Sequence, residues 1–288
     1  MSQITPAMLQ SAYMEACEEE LEAFKPGNVS VHSEGHDMSA EDFRASARVS
    51  APPLCDPSLA LGERIYRAIR ETQTIAGCNT NLGIVLLAAP LIMACQLGEK
   101  DYSLRENLKR ILDSTTRDDA DRVFHAIRLA KPGGLGQAAE HDVNEEAKVT
   151  LLEAMRVAAG RDFIAYQYAN GYATVFELAI PRYHTAFSRW RDGSWAAVAV
   201  FACLLMQIPD SHIERKFGDR FTGMVTDRMT QLDAALSGCA RPEQTLGLLR
   251  EVDAEFKSAG INPGTTADLT VACLLAVRLE SLWGSRGA

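Results

Sequence analysis

The chain has 288 residues, of which 47% are hydrophobic and 23% are charged, and its formal net charge is −9. These fractions are those of an ordinary globular protein and exclude disordered, collagen-like and coiled-coil proteins. The negative charge argues against broad binding of nucleic acid or an anionic membrane, and no apolar run reaches the roughly 18 residues of a spanning helix. We therefore expect a cytoplasmic protein with neither nucleic-acid nor membrane partners.

The seven cysteines are scattered along the chain and form no Cys-x-x-Cys pair, and the first residues lack the basic and apolar regions of a signal peptide. The sequence thus predicts reduced, mostly buried cysteines, with neither a disulfide framework nor a zinc module.

Helical periodicity dominates the chain. In the first half it predicts Pro6–Ala23 with Thr5 as N-cap, a helix capped by Ser39 with Asp42 and ended by Pro52-Pro53, and then Leu59–Thr74, Asn81–Leu97, Ser103–Ser114 and Asp118–Leu129. In the second half it predicts Asn144–Ala159, Asp162–Arg189 with bends at Gly171 and Pro181, Ser194–Gln207, Ile213–Phe217, Phe221–Leu236, Pro242–Ala259 and Thr265–Trp283. Alternating strand patterns and fixed-period repeats are missing, so we predict one all-α domain over residues 1–288, with ten or more helices and no substantial β-sheet.

Two polar segments near the N-terminus are candidates for ligand binding. Lys25-Pro-Gly-Asn28 can bend sharply and bring its side chains, with His32, His36 and Asp37, onto an anionic ligand; the alternative is a solvated turn between helices. Asn79-Thr80-Asn81 precedes a strongly apolar helix, whose start suits phosphate. The same residues are also good N-caps, and the two roles are compatible.

Four further segments carry polar groups at predicted helix starts or in loops. A glycine-rich loop ends in His141-Asp142, where carboxylate oxygen could bind Mg²⁺. Arg161-Asp162 opens a helix with a polar stripe that includes Gln167, and such a stripe is otherwise a solvent-facing surface. The remaining residues are Asp210, His212, Arg215 and Lys216 at another helix start, and Thr265 with Asp268, which capping alone would explain.

These sequence motifs, taken in order, resemble those of the triphosphoribosyl-dephospho-CoA synthase family. The matching motifs are Lys25-Pro-Gly, His36-Asp37-Met38 with Phe43 and Ser46-Ala47, Asn79-Thr80, Arg161-Asp162 with Gln167-Tyr168, Asp210 to Arg215, and Pro263-Gly264 through Ala267-Asp268-Leu269. The resemblance covers the chain from about Glu15 to Leu275. It implies an all-helical fold and a reaction in which a hydroxyl attacks the ribose anomeric carbon of ATP, expels adenine and keeps the triphosphate.

The resemblance also implies a set of site residues. Asp37, Asp162, Asp210 and His36 are the expected catalytic residues. The expected ligands of the ATP phosphates and ribose are Lys25, Asn28, Asn79, Thr80, Asn81, Arg161, Gln167, His212, Arg215 and Lys216, and the expected Mg²⁺ ligands are Asp37, Asp142, Asp210 and Asp268. The chemistry agrees, because a cationic ribose needs carboxylates, a hydroxyl needs a base, and phosphates need Mg²⁺ and basic groups. We expect these segments to line one cleft.

Two departures from the family pattern concern the acceptor. Asn81-Leu82-Gly83 stands where the family has His-Lys-Gly, and Asn28-Val29-Ser30 stands where it has Leu-Val-Asp. The expected partners are ATP and a small-molecule alcohol, which is dephospho-CoA or another coenzyme precursor such as a tetrahydromethanopterin-type ribitol. The competing interpretation is a non-catalytic helical protein that binds nucleotide, and self-association into a homo-oligomer is left open.

Overall fold

The structure is a computed structural model that describes residues 4–35, 38–98, 102–133 and 140–284. Its α-helices are α1 (Pro6–Glu22), α2 (Ala40–Cys55), α3 (Leu61–Ala76), α4 (Leu82–Leu97), α5 (Leu104–Asp113), α6 (Arg117–Ala130), α7 (Leu151–Ala158), α8 (Phe163–Ala169), α9 (Ile180–Trp190), α10 (Gly193–Gln207), α11 (Ser211–Phe217), α12 (Thr222–Gly238), α13 (Leu246–Ser258) and α14 (Gly264–Gly284). A π-helical segment spans Thr174–Ala179, and short 3-10 turns span Gly218–Phe221 and Pro242–Thr245. Within these ranges the only β pairing is two isolated bridges in the loop after α1. The predicted all-α fold is confirmed.

Three helices without a polar face form the centre of the protein. In α4, α10 and α14 most side chains are buried, which is typical of helices enclosed by other elements. α14 packs against α1, α4 and α10. The amphipathic helices α2, α3 and α5 pack against α4, and α6 packs against α3. Of the described helices, none is long and apolar enough by itself to cross a membrane; α10 with the following Ser211–Gly238, bent by 49°, meets that criterion only by the length and composition of the pair.

Helix α2 runs through the two prolines that were predicted to end it. It continues to Cys55, because Leu54 and Cys55 are fully buried and their packing holds the last turn in place. Proline removes the N–H groups that Arg48 and Val49 carbonyls would accept. Neither of those residues is buried, so water can satisfy their carbonyls. The predicted caps of α1 and α2 are confirmed: Thr5 accepts from the Met8 N–H, and Ser39 forms a capping box with Asp42.

The helix predicted over Asn144–Ala159 begins only at Leu151, so the first half of that prediction is wrong. Side chains satisfy the backbone of the preceding loop outside a helix, because Asp142 accepts from the Asn144 N–H and Asp121 accepts from the Ala147 N–H. Thr150 then starts α7 with a capping box. As a result, Asp142 lies on a loop that folds back over α6.

The helix predicted over Asp162–Arg189 is divided at Gly171 and Tyr172, which both have φ of 57°. The chain resumes as the π-helical segment and then α9, in whose first turn Pro181 causes no break. All seven cysteines are free, and five of them are buried.

Candidate active site

A cavity of about 400 Å³ lies where the starts of α4, α8, α11 and α14 meet the loop after α1. Its polar lining includes Glu20, Asn28, Asn79, Thr80, Asn81, His141, Asp142, Arg161, Asp162, His212, Arg215, Asn262, Thr265 and Asp268. The volume lies in the range of small-molecule sites. The structure therefore brings together polar groups that are separated by up to some 250 residues in sequence.

Two arginines supply positive charge to the cavity. Arg215 Nη1 lies 2.6 Å from Asp162 Oδ2, and its buried Nε has no hydrogen-bond partner in the described chain. Arg161 is exposed and makes no side-chain hydrogen bond or ion pair with the described residues. Guanidinium groups with unused donors are suited to bind phosphate.

Asp162 orients Arg215 and also starts α8. Its Oδ1 accepts from the N–H groups of Ile164 and Ala165, while Oδ2 holds the Arg215 guanidinium. Both oxygens are thus used within the protein. We therefore reassign Asp162 from a catalytic carboxylate to a residue that positions Arg215.

Asp268 presents a carboxyl group to the cavity beside the start of α4. It forms no hydrogen bond or ion pair with the described residues, so it is not the capping partner of Thr265 that the sequence suggested, and α14 starts at Gly264. Its close approach depends on Gly83, where a Cβ atom would overlap Asp268 Oδ2. Burial, followed by the charges of Asp210 and Glu20, raises the pKa of Asp268 well above its usual range.

The asparagine-rich segments line one side of the cavity. Asn28 Nδ2 donates to Asn262 Oδ1 at 2.8 Å, and Asn79 Oδ1 accepts from the Leu82 N–H at the start of α4. Thr80 and Asn81 are tied to the serines of α2, with Asn81 Nδ2 3.3 Å from Ser50 Oγ. The buried Oδ1 of Asn81 has no partner among the described residues.

Lys25 is placed differently from its predicted role as a phosphate ligand. It is fully buried, and its ammonium group donates to the carbonyls of Glu20, Ala23 and Val29 and lies 3.1 Å from Glu20 Oε1. Burial lowers the pKa of Lys25, opposed by the Glu20 charge. Because these acceptors occupy its three protons, we reassign Lys25 to support of the loop after α1.

Asp210, Gln167 and Lys216 also lie outside the cavity lining. Asp210 is buried and accepts from the N–H groups of His212, Ile213 and Thr266 and from the Thr266 hydroxyl, so it fixes α11 to α14. Burial raises the pKa of Asp210. Gln167 is fully buried and donates to Thr174, and Lys216 reaches the Gly260 carbonyl. We reassign all three from direct ligand contact to structural support.

The predicted catalytic residues His36 and Asp37 lie outside the described residues. Asp142 and His212 line the cavity, and a Cβ atom added at Gly264 would lie 3.0 Å from His212 Nδ1, which is closer than an ordinary contact. Within the described part of the chain, no group of three or more His, Cys, Asp or Glu side chains is arranged to hold a metal ion.

Glu20 lines the cavity and was not predicted from the sequence. It lies in a run of glutamates, which is typical of a solvated face, yet it follows Tyr13, Ala16 and Cys17 on the buried face of α1. That position was the available signal, since a carboxylate on a buried helical face needs a partner. Apolar side chains of α6, α7 and α8 also line the cavity, and they include Phe124, Ile127, Leu151, Met155 and Ile164.

Comparison with known proteins places this chain in a family. Residues 6–287 match the sequence model of the family described as ATP:dephospho-CoA triphosphoribosyl transferase. A crystal structure from Archaeoglobus fulgidus, assigned as a triphosphoribosyl-dephospho-CoA synthase, is similar with a TM-score of 0.62 and 25% identity, covering 81% of this chain and 97% of that one. No curated protein matches the chain. The protein is thus a transferase that belongs to the ATP:dephospho-CoA triphosphoribosyl transferase family.

Proposed function

We propose that the protein transfers the 5-triphosphoribosyl group of ATP to an alcohol, releasing adenine in a reaction that requires Mg²⁺. Dephospho-CoA, the acceptor in the family description, is the first acceptor to test. The observation that carries the proposal is the pair Arg161 and Arg215, which line the same cavity as Asp268 and the starts of α4 and α14.

The polar lining of the cavity suits a triphosphate. The first N–H groups of a helix attract anions, and two long helices, α4 and α14, begin there. Arg161 and Arg215 add full charges, and Asp162 holds the Arg215 side chain in place before substrate binds. A preorganised guanidinium loses less free energy on binding than a mobile one.

The residues present fit Mg²⁺ only as an ion shared with phosphate. Mg²⁺ in proteins is usually held by one or two carboxylates together with substrate phosphates and water, so a three-residue cage is not required. Of the three predicted ligands within the described residues, Asp210 is fully used in hydrogen bonds, and Asp142 and Asp268 line the cavity. When bound, Mg²⁺ would neutralise phosphate charge.

The transfer requires stabilisation of a cationic ribose and a surface for adenine, and the cavity offers groups for both. Bond breaking at the ribose anomeric carbon develops positive charge on the sugar, which nearby carboxylates stabilise. The apolar side chains of α6, α7 and α8 offer a surface to the flat adenine ring. Displacement at that carbon moves a ribose that keeps its triphosphate, so the phosphate contacts hold both substrate and product.

The proposal is tested by incubating the protein with ATP, Mg²⁺ and either dephospho-CoA or a ribitol-bearing pterin precursor, and following free adenine by chromatography. We expect adenine release only when an acceptor is present. Release with the pterin precursor and not with dephospho-CoA would identify the departure at Asn81-Leu82 as a change of acceptor. ATP binding without adenine from any acceptor would instead support a non-catalytic nucleotide-binding protein.

A matched pair of arginine variants tests the phosphate contact. Arg161→Ala removes a charged donor at the cavity, and hydrogen bonds to charged groups contribute about 1.5–3 kcal/mol, so ATP affinity should fall roughly 10–100-fold. Arg156→Ala removes an exposed arginine of α7 that does not line the cavity and should leave affinity unchanged. Isothermal titration calorimetry measures both, and equal effects would contradict the assignment.

A further inference from the structure

Glu20 and Lys25 form a buried ion pair at the wall of the cavity. Glu20 is only 4% exposed, yet it lines the cavity, and its Oε1 lies 3.1 Å from the Lys25 ammonium. No described residue donates to its other oxygen. Burying a carboxylate costs free energy unless it is paired, and here a single lysine provides the pairing.

The fold holds this pair rigidly. Lys25 is bound to the carbonyls of Glu20, Ala23 and Val29, which closes the end of α1 and fixes the loop that leads to Asn28. A lysine held by four acceptors has little freedom to leave the carboxylate. The Lys25 charge stabilises the ionised form of Glu20, whereas burial, the larger effect, raises the pKa of Glu20.

A second oxygen without a partner in the described part of the chain belongs to Asn81, which lines the same cavity as Glu20. Asn81 is 3% exposed, and its Oδ1 has no partner among the described residues. A small cavity of about 10 Å³ shares Glu20, Phe43, Asn81 and Ile84 with the large one, so the two polar side chains border the same space. Two buried acceptors facing one space call for a ligand that donates hydrogen bonds, and hydroxyl groups are such donors.

We propose that Glu20 is the general base that takes the proton of the acceptor hydroxyl, and that Lys25 is its positioning residue. This inference rests on the proposed function. The acceptor oxygen forms a bond to the anomeric carbon of ATP while the bond from that carbon to adenine breaks and its electron pair leaves on the base. The hydroxyl proton passes to the Glu20 carboxylate, adenine takes a proton from water, and the hydroxide so formed takes the proton back from Glu20. Asn81 Oδ1 accepts from a second hydroxyl, on ribose or acceptor.

The decisive variant is Glu20→Gln, which keeps the shape of the side chain and an oxygen for Lys25. We expect kcat for adenine release to fall by about 10²–10⁴-fold, the range for loss of a general base, with ATP affinity within a factor of about three of wild type. Glu22→Gln is the matched control: Glu22 is an exposed glutamate two residues further along α1, and this variant should keep the wild-type rate. A rate for Glu20→Gln within threefold of wild type would overturn the proposal.

Chemical rescue separates a base from a structural residue. Glu20→Ala opens space for a small carboxylate, so added formate should raise the rate of this variant at least tenfold. Formate should not raise the rate of Arg161→Ala. The Mg²⁺ concentration for half-maximal rate should be the same in Glu20→Gln and wild type. A shifted Mg²⁺ requirement, an absence of formate rescue, or failure of both Glu20 variants to fold would overturn the proposal. Wild-type protein that releases no adenine contradicts the proposed function itself.

Discussion

Lys25 and Glu20 differ from their expected positions because Lys25 is fully buried away from the cavity, whereas Glu20 lines it. A lysine beside a glycine turn is an ordinary phosphate ligand in sequence, but here its ammonium group is enclosed by carbonyls and a carboxylate. Glu20, one turn earlier on α1, takes the place at the cavity that Lys25 was expected to hold.

Replacing Lys25 should therefore affect stability before it affects ATP binding. Lys25→Ala leaves Glu20 buried without its partner, and breaking a buried pair costs about 3–5 kcal/mol. Lys148→Ala removes one member of an exposed pair, at a cost of about 0–1 kcal/mol. Denaturant unfolding measures both. A Lys25→Ala protein of wild-type stability with weakened ATP binding would restore the predicted phosphate role.

Asp268 gives the protein a pH-dependent stability. Its raised pKa means that the folded protein holds a proton at pH values where the unfolded chain, with an aspartate pKa of about 3.9, has lost it. The unfolded state then binds fewer protons, so this contribution to wild-type stability is lost as pH rises above about 4 towards the folded-state pKa.

Asp268→Asn should consequently be more stable than wild type near neutral pH, and the gain should shrink as pH falls to about 4. Unfolding free energies measured in Mg²⁺-free buffer at several pH values test this, with Asp219→Asn as the control for loss of a surface charge. A gain in the free energy of unfolding that does not depend on pH would show that the fold does not raise the pKa of Asp268. The same variant should lose activity, a trade-off common at functional sites.

At the scale of elements, the site depends on the close approach of α14 to the start of α4. Gly83 lies in a helix, where alanine would ordinarily be favoured by about 0.5–1 kcal/mol. Here an added Cβ meets Asp268 on α14, so the side chain or the helix must move. Asp210 fixes the other end of this arrangement, because it joins the first turns of α11 and α14.

Gly83→Ala is accordingly expected to lower the rate of adenine release by about 10²-fold, since displacements near 1 Å at a reacting centre have effects of that size. Gly223→Ala is the matched control: it is a helical glycine with open space around it, so it should be slightly stabilised and fully active. If the two variants have equal activity, the contact between Gly83 and Asp268 does not shape the site.

Elements with a strong local signal were predictable, and those decided by distant contacts were not. The apolar runs of α4 and α10 and the Ser39 capping box predict their helices directly, because the pattern lies within one segment. The end of α2 and the start of α7 depend on other segments: Leu54 and Cys55 are held by packing, and Asp121 satisfies the backbone at Ala147. A single sequence does not show such partners.

The same distinction applies to the site. Motifs at helix starts predicted that Asn79–Asn81, Arg161, His212, Arg215 and Asp268 face one space, and the structure places them around one cavity. The roles within that space could not be predicted, because they depend on which oxygens are already used. Asp162 and Asp210 have theirs filled by the protein, whereas Asp268 and Glu20 face the cavity.

At the scale of the whole molecule, the fold forms a cavity with both polar and apolar lining. The first turns of α4 and α14 contribute polar groups, and α6, α7 and α8 contribute apolar side chains. One substrate with a charged triphosphate and a flat, uncharged base matches both kinds of lining. This match supports ATP as the donor, and the departures at Asn28 and Asn81 lie on the side of the cavity that Glu20 borders.

The fate of the atoms of ATP is the most direct test of this account. ATP carrying ¹³C in the ribose, ³²P in the γ-phosphate and ¹⁵N in the base is incubated with protein, Mg²⁺ and the acceptor that gives adenine release, and the products are separated and analysed by mass and radioactivity. We predict one acceptor product that contains both the ¹³C ribose and the ³²P label, together with equimolar free ¹⁵N adenine. A product that carries the ³²P label without the ribose, or the ribose with the ¹⁵N base still attached, would contradict triphosphoribosyl transfer.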